Sequence, residues 1–359
     1  MTKRKYTITI HTSRCKGIHE DIPNVPYLKK SPNAQGDDIK VYSQKIVIIA
    51  ERNKKYNFES IIEYKQNSLY LQIYKSLLYL FLKRGKRVFV RAIEVKVGNN
   101  VEKVSVDKNR QPIDGEFIVR IPITSQVLNI LWEEGVRGKT FRALVSHYLI
   151  AISSKDRYKR FERLWRSFEQ IAVWHKYHDA IPARPSDFES LREMRSYICS
   201  NPQVLQQTFR FIDEVGSRKL GKLHWRKLID NNYPYSGDKK QVVFLYSDFC
   251  DKNKDVRLVR IFKKAIAMRK TAIDSHGLTN DFDTLIESYV TNRFRNNSHV
   301  LSLIACKYCF FMRNKMFHGE EADFSFCFTN HTEDDSITDF LNELLERLVN
   351  ELIAGFDSL

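Results

Sequence analysis

The pattern of apolar residues changes once along this 359-residue chain, near residue 130, and that change limits the folds it can adopt. Before it, short segments rich in Ile, Val and Thr alternate apolar with polar residues, as β-strands do. After it, apolar residues recur every three or four positions, as in amphipathic α-helices. The length is sufficient for two domains. We therefore predict an α+β protein, with a basic, β-rich domain in residues 1–130 and an all-α helical bundle in residues 131–359.

The first region contains five segments that the pattern predicts as strands: residues 6–10, 46–50, 88–97, 101–106 and 117–123. Asn99 and Asn100 are predicted to form the turn of a hairpin. Prolines and a glycine interrupt the stretch between the first two strands, which favours a loop there. Residues 58–82 are ambiguous, and we interpret them either as two strands or as a strand followed by a short helix.

The second region is predicted to be helical, with helices at residues 125–134, 140–178, 187–200, 202–211, 255–275, 281–294, 300–319 and 336–356. The third of these has a clear start, because Ser186 and Glu189 have the spacing of a capping box. A basic stretch at 216–240 is predicted to be an exposed connection. Residues 241–250 fit either a strand or a short helix.

The net charge indicates the kind of partner, and the cysteine usage indicates the cellular compartment. The net charge is +16, and residues 1–125 hold 24 basic against 12 acidic residues, which favours nucleic acid as a partner. The six scattered cysteines suggest a reducing cytoplasm. Cys306 and Cys309 have the spacing of half a zinc site but lack a second pair, so we predict that they are core residues. No apolar run is long enough to cross a membrane, and we expect no cofactor and no metal.

One helix ends in an unusual group of polar residues. Residues 300–312 are almost entirely apolar, and Arg313, Asn314 and His318 then precede Gly319, a residue that often ends helices. Arginine carries a permanent charge, histidine titrates near neutral pH, and asparagine can orient either. On an ideal helix Asn314 and His318 share one stripe, whereas Arg313 and His318 lie about 140° apart.

The spacing of Arg313, Asn314 and His318 resembles the motif of the HEPN superfamily of helical ribonucleases. Residues 161–168, Phe-Glu-Arg-Leu-Trp-Arg-Ser-Phe, are similar to the long first helix of several HEPN groups. The resemblance implies an endoribonuclease that needs no metal and cleaves RNA by attack of the ribose 2′-OH. It also implies a homodimer in which two copies of the motif complete one active site. We expect Lys307 and Lys315 to assist RNA binding, and Arg293 and His299 to form an alternative or auxiliary phosphate contact.

The resemblance further suggests a toxin-like hydrolase of the cytoplasm that acts in anti-phage defence, for example in abortive infection. Such an enzyme implies an antitoxin or a phage-derived trigger as a possible partner. In this interpretation the β-rich domain is a sensor or an RNA-docking module.

Two alternatives remain open at this stage. Some HEPN domains only bind RNA or protein, so the second domain can be a non-catalytic binding module. Alternatively, Glu94 and Lys96 resemble the second half of the PD-(D/E)xK signature of metal-dependent nucleases, with Glu63 as the nearest upstream acid. Loss of activity in EDTA would favour that second alternative. The sequence Glu63-Tyr-Lys65 repeats the short motif, which shows how easily it arises.

Overall fold

The computed structural model divides the chain into two compact units, Met1–Pro185 with Val349–Leu359, and Ser186–Leu348. All six described strands lie before the predicted boundary at residue 130, but so do the first helices, and the compact units divide after Pro185 and before Val349. The structure describes residues 3–15, 17–27, 36–113, 115–225, 228, 252–267, 280, 284, 287–288, 290–291, 294–317 and 333–359.

The first unit contains a six-stranded antiparallel sheet in the order β2-β3-β4-β1-β5-β6. Its strands are β1 Arg4–Thr12, β2 His19–Val25, β3 Asp37–Tyr42, β4 Lys45–Arg52, β5 Val90–Val97 and β6 Asn100–Ser105. One face is the core, because alternate side chains of the central strand β1, among them Ile8 and Ile10, are fully buried. The coarse prediction of an α+β chain with its strands first is confirmed.

Two strands of this sheet were not predicted, because prolines and charges hide them. β2 is an edge strand with Pro23 in its middle, and the pairing register to β3 shifts between Ile22 and Val25. Proline is tolerated at edges and bulges, where no ladder hydrogen bond has to be donated. The loop predicted across this region is therefore wrong for residues 19–25 and 37–42.

Further predictions for the first unit need correction. Residues 58–82 contain two helices, α1 Phe58–Glu63 and α2 Ser68–Arg84, so the strands predicted here are wrong and the helix of the second alternative is confirmed. Because most of the α2 surface is buried, its sequence has the apolar content of a strand. Helix α2 ends at Gly85, which adopts the left-handed conformation (φ 62°). The hairpin turn lies at positions 98–99, with Gly98 at φ 59°, one residue earlier than predicted.

The predicted strand at 117–123 does not pair with a strand of the sheet. Ile118 forms a bridge with Lys86, which lies outside the strands. The Val119 N–H donates to Gly85 O (2.7 Å), and the Ile121 N–H donates to Asn350 Oδ1 (2.9 Å). Its backbone thus binds a helix end and a side chain. Alternating burial is the same for both arrangements, so the sequence pattern does not separate them.

The helices that complete the first unit are α3 Ser125–Asn129, α4 Val136–Ser153 and α5 Arg157–Tyr177. The predicted helix at 140–178 is in fact two, because Asp156 caps a new helix by accepting from Tyr158 N and Lys159 N. The chain end returns here, where the Phe356 ring lies 4.8 Å from Phe141. Trp132, Trp165 and Trp174 are buried.

The second unit is helical where it is described, with α6 Asp187–Ser200, α7 Gln206–Leu220, α8 Val256–Ala267, α9 Asn297–Leu303, α10 Cys309–Phe317 and most of α11 Glu333–Ala354. α6 has the predicted bounds, and Ser186 accepts from Glu189 N. α7 continues to residue 220 through a kink at Gly216 (φ 64°), so the predicted connection at 216–240 starts too early. The predictions for 241–250 and for most of 281–294 lie outside the described residues.

In the part of the chain that is described, no helix combines the length and apolar character needed to cross a membrane.

Candidate functional site

The helix that carries the polar motif is continuous from Asn297 to Phe317, and we call it the motif helix. It consists of α9, a π-helical turn at Ile304–Tyr308, and α10. Asn296 caps its start by accepting from His299 N. Almost every residue from Val300 to Met312 is buried. The burial ends at Arg313, so the motif begins where the helix leaves the core.

Arg313 and Asn314 are joined through their side chains, because Arg313 Nη1 donates to Asn314 Oδ1 over 2.9 Å. Neighbouring residues of a helix point about 100° apart and do not normally meet. The long arginine side chain bridges this angle and brings its guanidinium over the stripe of Asn314. Both residues are half-buried. Since Oδ1 accepts from Arg313, the NH₂ group of Asn314 is the part that can donate to another acceptor.

Two predicted site residues, His318 and Arg293, lie outside the described residues. Phe317 is the last helical residue described before His318. The two auxiliary lysines are described, and both are half-buried on the motif helix. Lys307 belongs to the π-helical turn, and Lys315 Nζ stands 5.8 Å from the centre of the Phe311 ring.

His299 is at the opposite end of the motif helix from Arg313. Fourteen residues separate them, which is about 21 Å along a helix axis. The Lys254 backbone N–H donates to His299 Nδ1 over 2.8 Å. Burial, followed by the charge of Arg195, lowers the pKa of His299. His299 therefore contacts the residues before the helix and lies at the far end of the helix from Arg313. Its role as an alternative or auxiliary phosphate contact stays a prediction.

The start of the motif helix is also held by a buried ion pair that the sequence did not reveal. Asp255 and Arg257 are 1% and 2% exposed. Asp255 Oδ2 accepts from Arg257 Nη2 (2.8 Å) and from the Asn296 N–H (2.7 Å), while Arg257 Nη2 also donates to Asn297 Oδ1 (2.7 Å). An Asp two residues before an Arg at a helix start is common, so no sequence signal distinguishes this pair.

Cys306 and Cys309 are buried core residues, as predicted. Burial raises the pKa of Cys306 to about 12 and that of Cys309 well above its usual value. Among the described residues, no group of three or more His, Cys, Asp and Glu side chains is placed to hold a metal ion.

The residues of the PD-(D/E)xK alternative are not arranged as that signature requires. Glu94 lies on β5, 3.6 Å from His11, and Lys96 is exposed on the same strand. Glu63 is in helix α1 and not on a strand preceding Glu94. The two acids therefore do not reproduce the adjacent-strand geometry that the signature needs.

Comparisons of the chain with models of known families, with curated proteins and with solved structures gave no match. The two segments that resemble HEPN proteins belong to different compact units, since α5 is in the first and the motif helix is in the second.

Proposed function

We propose that the chain is a metal-independent endoribonuclease of the HEPN type, with Arg313, Asn314 and His318 as its catalytic residues. The observation that supports this most is the hydrogen bond from Arg313 to Asn314 at the point where the motif helix leaves the core. It directs the guanidinium toward the stripe on which helical periodicity would also place His318.

In the proposed reaction, the ribose 2′-oxygen attacks the adjacent phosphorus and the 5′-oxygen of the next nucleotide leaves. The products are a 2′,3′-cyclic phosphate and a free 5′-OH. His318 transfers a proton near neutral pH. The Arg313 guanidinium stabilises the charge that builds on the phosphorane oxygens, and the Asn314 NH₂ group orients a phosphate or His318. DNA lacks the 2′-OH and is not cleaved by this route.

The site is completed by a second copy of the chain in this proposal. One motif supplies a single Arg and a single His, whereas proton removal and proton delivery at opposite ends of the phosphorus are best served by two groups. We propose a homodimer whose two motif helices face one cleft. Lys307 and Lys315 then add positive potential for RNA.

The biological role we propose is a toxin-like effector of anti-phage defence, held inactive by an antitoxin or activated by a phage-derived trigger. Support for this step comes from the resemblance alone. Growth arrest on expression of the wild-type chain, and its absence with His318→Ala, is the expected result.

The test is cleavage of total RNA by purified protein in EDTA, followed by mapping of the cut ends. Arg313→Ala and His318→Ala should each abolish cleavage while leaving the oligomeric state unchanged. Arg192→Ala is the matched control, because Arg192 is an exposed arginine of the same unit (62% exposed side chain) outside the motif. Unchanged cleavage in both motif variants would refute the proposed site. RNA binding without cleavage by the wild type would assign the domain to the non-catalytic class.

A further inference from the structure

A second concentration of positive charge lies on helix α5, in the first compact unit. Residues 155–166 hold six basic and two acidic side chains. Lys159, Arg163 and Arg166 follow each other at spacings of four and three on one stripe, on which Lys159 is exposed and the two arginines are half-buried. His147 of α4 faces Arg163. We call these four residues the α5 basic patch. The stripe extends about 10 Å along the helix.

The charges of this patch are arranged against the stability of their own helix. Cations are unfavourable near a helix N-terminus, and the first turn of α5 contains no acidic residue except its cap, Asp156. Like charges three or four residues apart repel each other. The Asp156 cap and an ion pair between Glu162 and Arg166 offset part of this cost, and an anion bound to the stripe would remove more of the repulsion.

The hydrogen bonds within the described residues use only some of the donors in the patch. A guanidinium only donates, so the 3.2 Å contact makes His147 Nδ1 the acceptor from Arg163 Nη1 and leaves the ring proton on Nε2. Arg163 Nε is buried and has no hydrogen-bond partner within the described residues. Arg166, with 43% of its side chain exposed, pairs with Glu162 at 2.7 Å. Glu162 is thus the carboxylate that pairs with this stripe among the contacts of the described residues.

The titration of His147 reports the local potential. Its pKa is lowered first by burial and then by the charges of Arg163 and Arg166, while Glu162 raises it. The positive charges therefore outweigh the negative one at this ring. A bound anion would offset the two arginines and raise this pKa again.

We propose that the α5 basic patch binds phosphate groups of the RNA backbone, as a docking site separate from the motif helix. The choice of RNA rests on the proposed function. The patch fits a nucleic acid better than a membrane surface, because membrane-binding helices insert apolar residues beside their basic ones. Here the apolar residues of the same segment, Phe161, Leu164 and Trp165, are all buried.

The experiment measures binding without cleavage. Full-length protein is titrated against a fluorescein-labelled 2′-O-methyl RNA of about 20 nucleotides, which has no free 2′-OH to attack, at salt concentrations between about 50 and 200 mM. The test variant is Arg163→Gln with Arg166→Gln. The matched control is Arg137→Gln with Arg192→Gln, which also removes two arginines that each have a glutamate partner. A further variant, Arg163→Lys with Arg166→Lys, keeps the charge if the Gln variant misfolds.

We expect the Gln variant to bind about tenfold or more weakly, and its slope of log K against log salt to fall by about 1.4, or about 0.7 for each lost phosphate contact. The control should stay within about twofold, and the Arg→Lys variant should keep the wild-type slope. Equal affinity of the Gln variant and the control overturns the proposal, as does binding of phosphatidylserine vesicles in place of RNA. If the Gln variant binds RNA more weakly but the wild type leaves unmodified RNA uncleaved, the docking site is supported and the proposed ribonuclease activity is refuted.

Discussion

Replacement of Asp255 by alanine should strongly destabilise the second unit. The carboxylate accepts three hydrogen bonds from Arg257, through its N–H (2.8 Å), Nε (3.0 Å) and Nη2 (2.8 Å), and one from the Asn296 N–H (2.7 Å). Arg257 is 2% exposed, so its charge would stay buried with the exposed carboxylate of Asp213, 3.9 Å away, in place of its close partner. Breaking a buried pair from one side costs about 3–5 kcal/mol. The lost helix cap and the Asn296 contact are part of this range.

The measurement is urea unfolding followed by circular dichroism and by tryptophan fluorescence. With a slope of about 2 kcal/mol per M, a loss of about 4 kcal/mol lowers the midpoint of the affected transition by about 2 M. Asp213→Ala is the control, because Asp213 is 55% exposed and 3.9 Å from Arg257. Exposed pairs of this kind contribute at most about 1 kcal/mol.

A double variant distinguishes the stability lost with the ion pair from the cost of leaving one charge buried and unpaired. Asp255→Ala combined with Arg257→Met removes both charges, so it should be less destabilised than Asp255→Ala alone. The reasoning is refuted if Asp255→Ala lies within about 1 kcal/mol of wild type, or if the double variant is the less stable of the two.

The other predictions concern single positions. Burial lowers the pKa of Lys75 to about 8, below its usual 10.5, so the folded state releases this proton first. From pH 8.5 to 9.5 the stability of wild type should therefore rise relative to Lys75→Met, by roughly 1 kcal/mol in unfolding experiments. Gly98→Ala should lower stability by about 1–2 kcal/mol and Gly98→Asn by less, because only the positive φ opposes a side chain there. If the proposed function holds, Asn314→Asp keeps the acceptor for Arg313 but loses its donors, and RNA cleavage should fall about 100-fold in gel assays.

The sequence predicted elements well where local chemistry defines their ends. α6 was predicted with its bounds because Ser186 and Glu189 mark its start, and β1 and β4 were recognised because one side of each faces the core. Predictions failed where a tertiary partner decides the outcome. The edge strand β2 owes its existence to pairing with β3, and residues 117–123 lack a strand partner for reasons that only the fold supplies.

The candidate site shows the same division. Sequence spacing singled out Arg313 and Asn314, but ideal helix geometry points them about 100° apart. The hydrogen bond between them depends on the reach of the arginine side chain, which no periodicity describes. The hydrogen bond that His299 accepts could not be predicted either, because its donor, the Lys254 N–H, is 45 residues away in the chain.

The distribution of burial along the motif helix explains how one helix can serve both stability and function. Its start is fixed by the buried pair of Asp255 and Arg257, and its middle is covered on nearly all sides. The polar pair of Arg313 and Asn314 lies where that cover ends. A helix anchored in this way would position its half-buried tip, as the proposed two-chain site requires. If the proposed function holds, weakening the anchor at Asp255 should therefore reduce RNA cleavage, even though Arg313 is about 25 Å further along the helix axis.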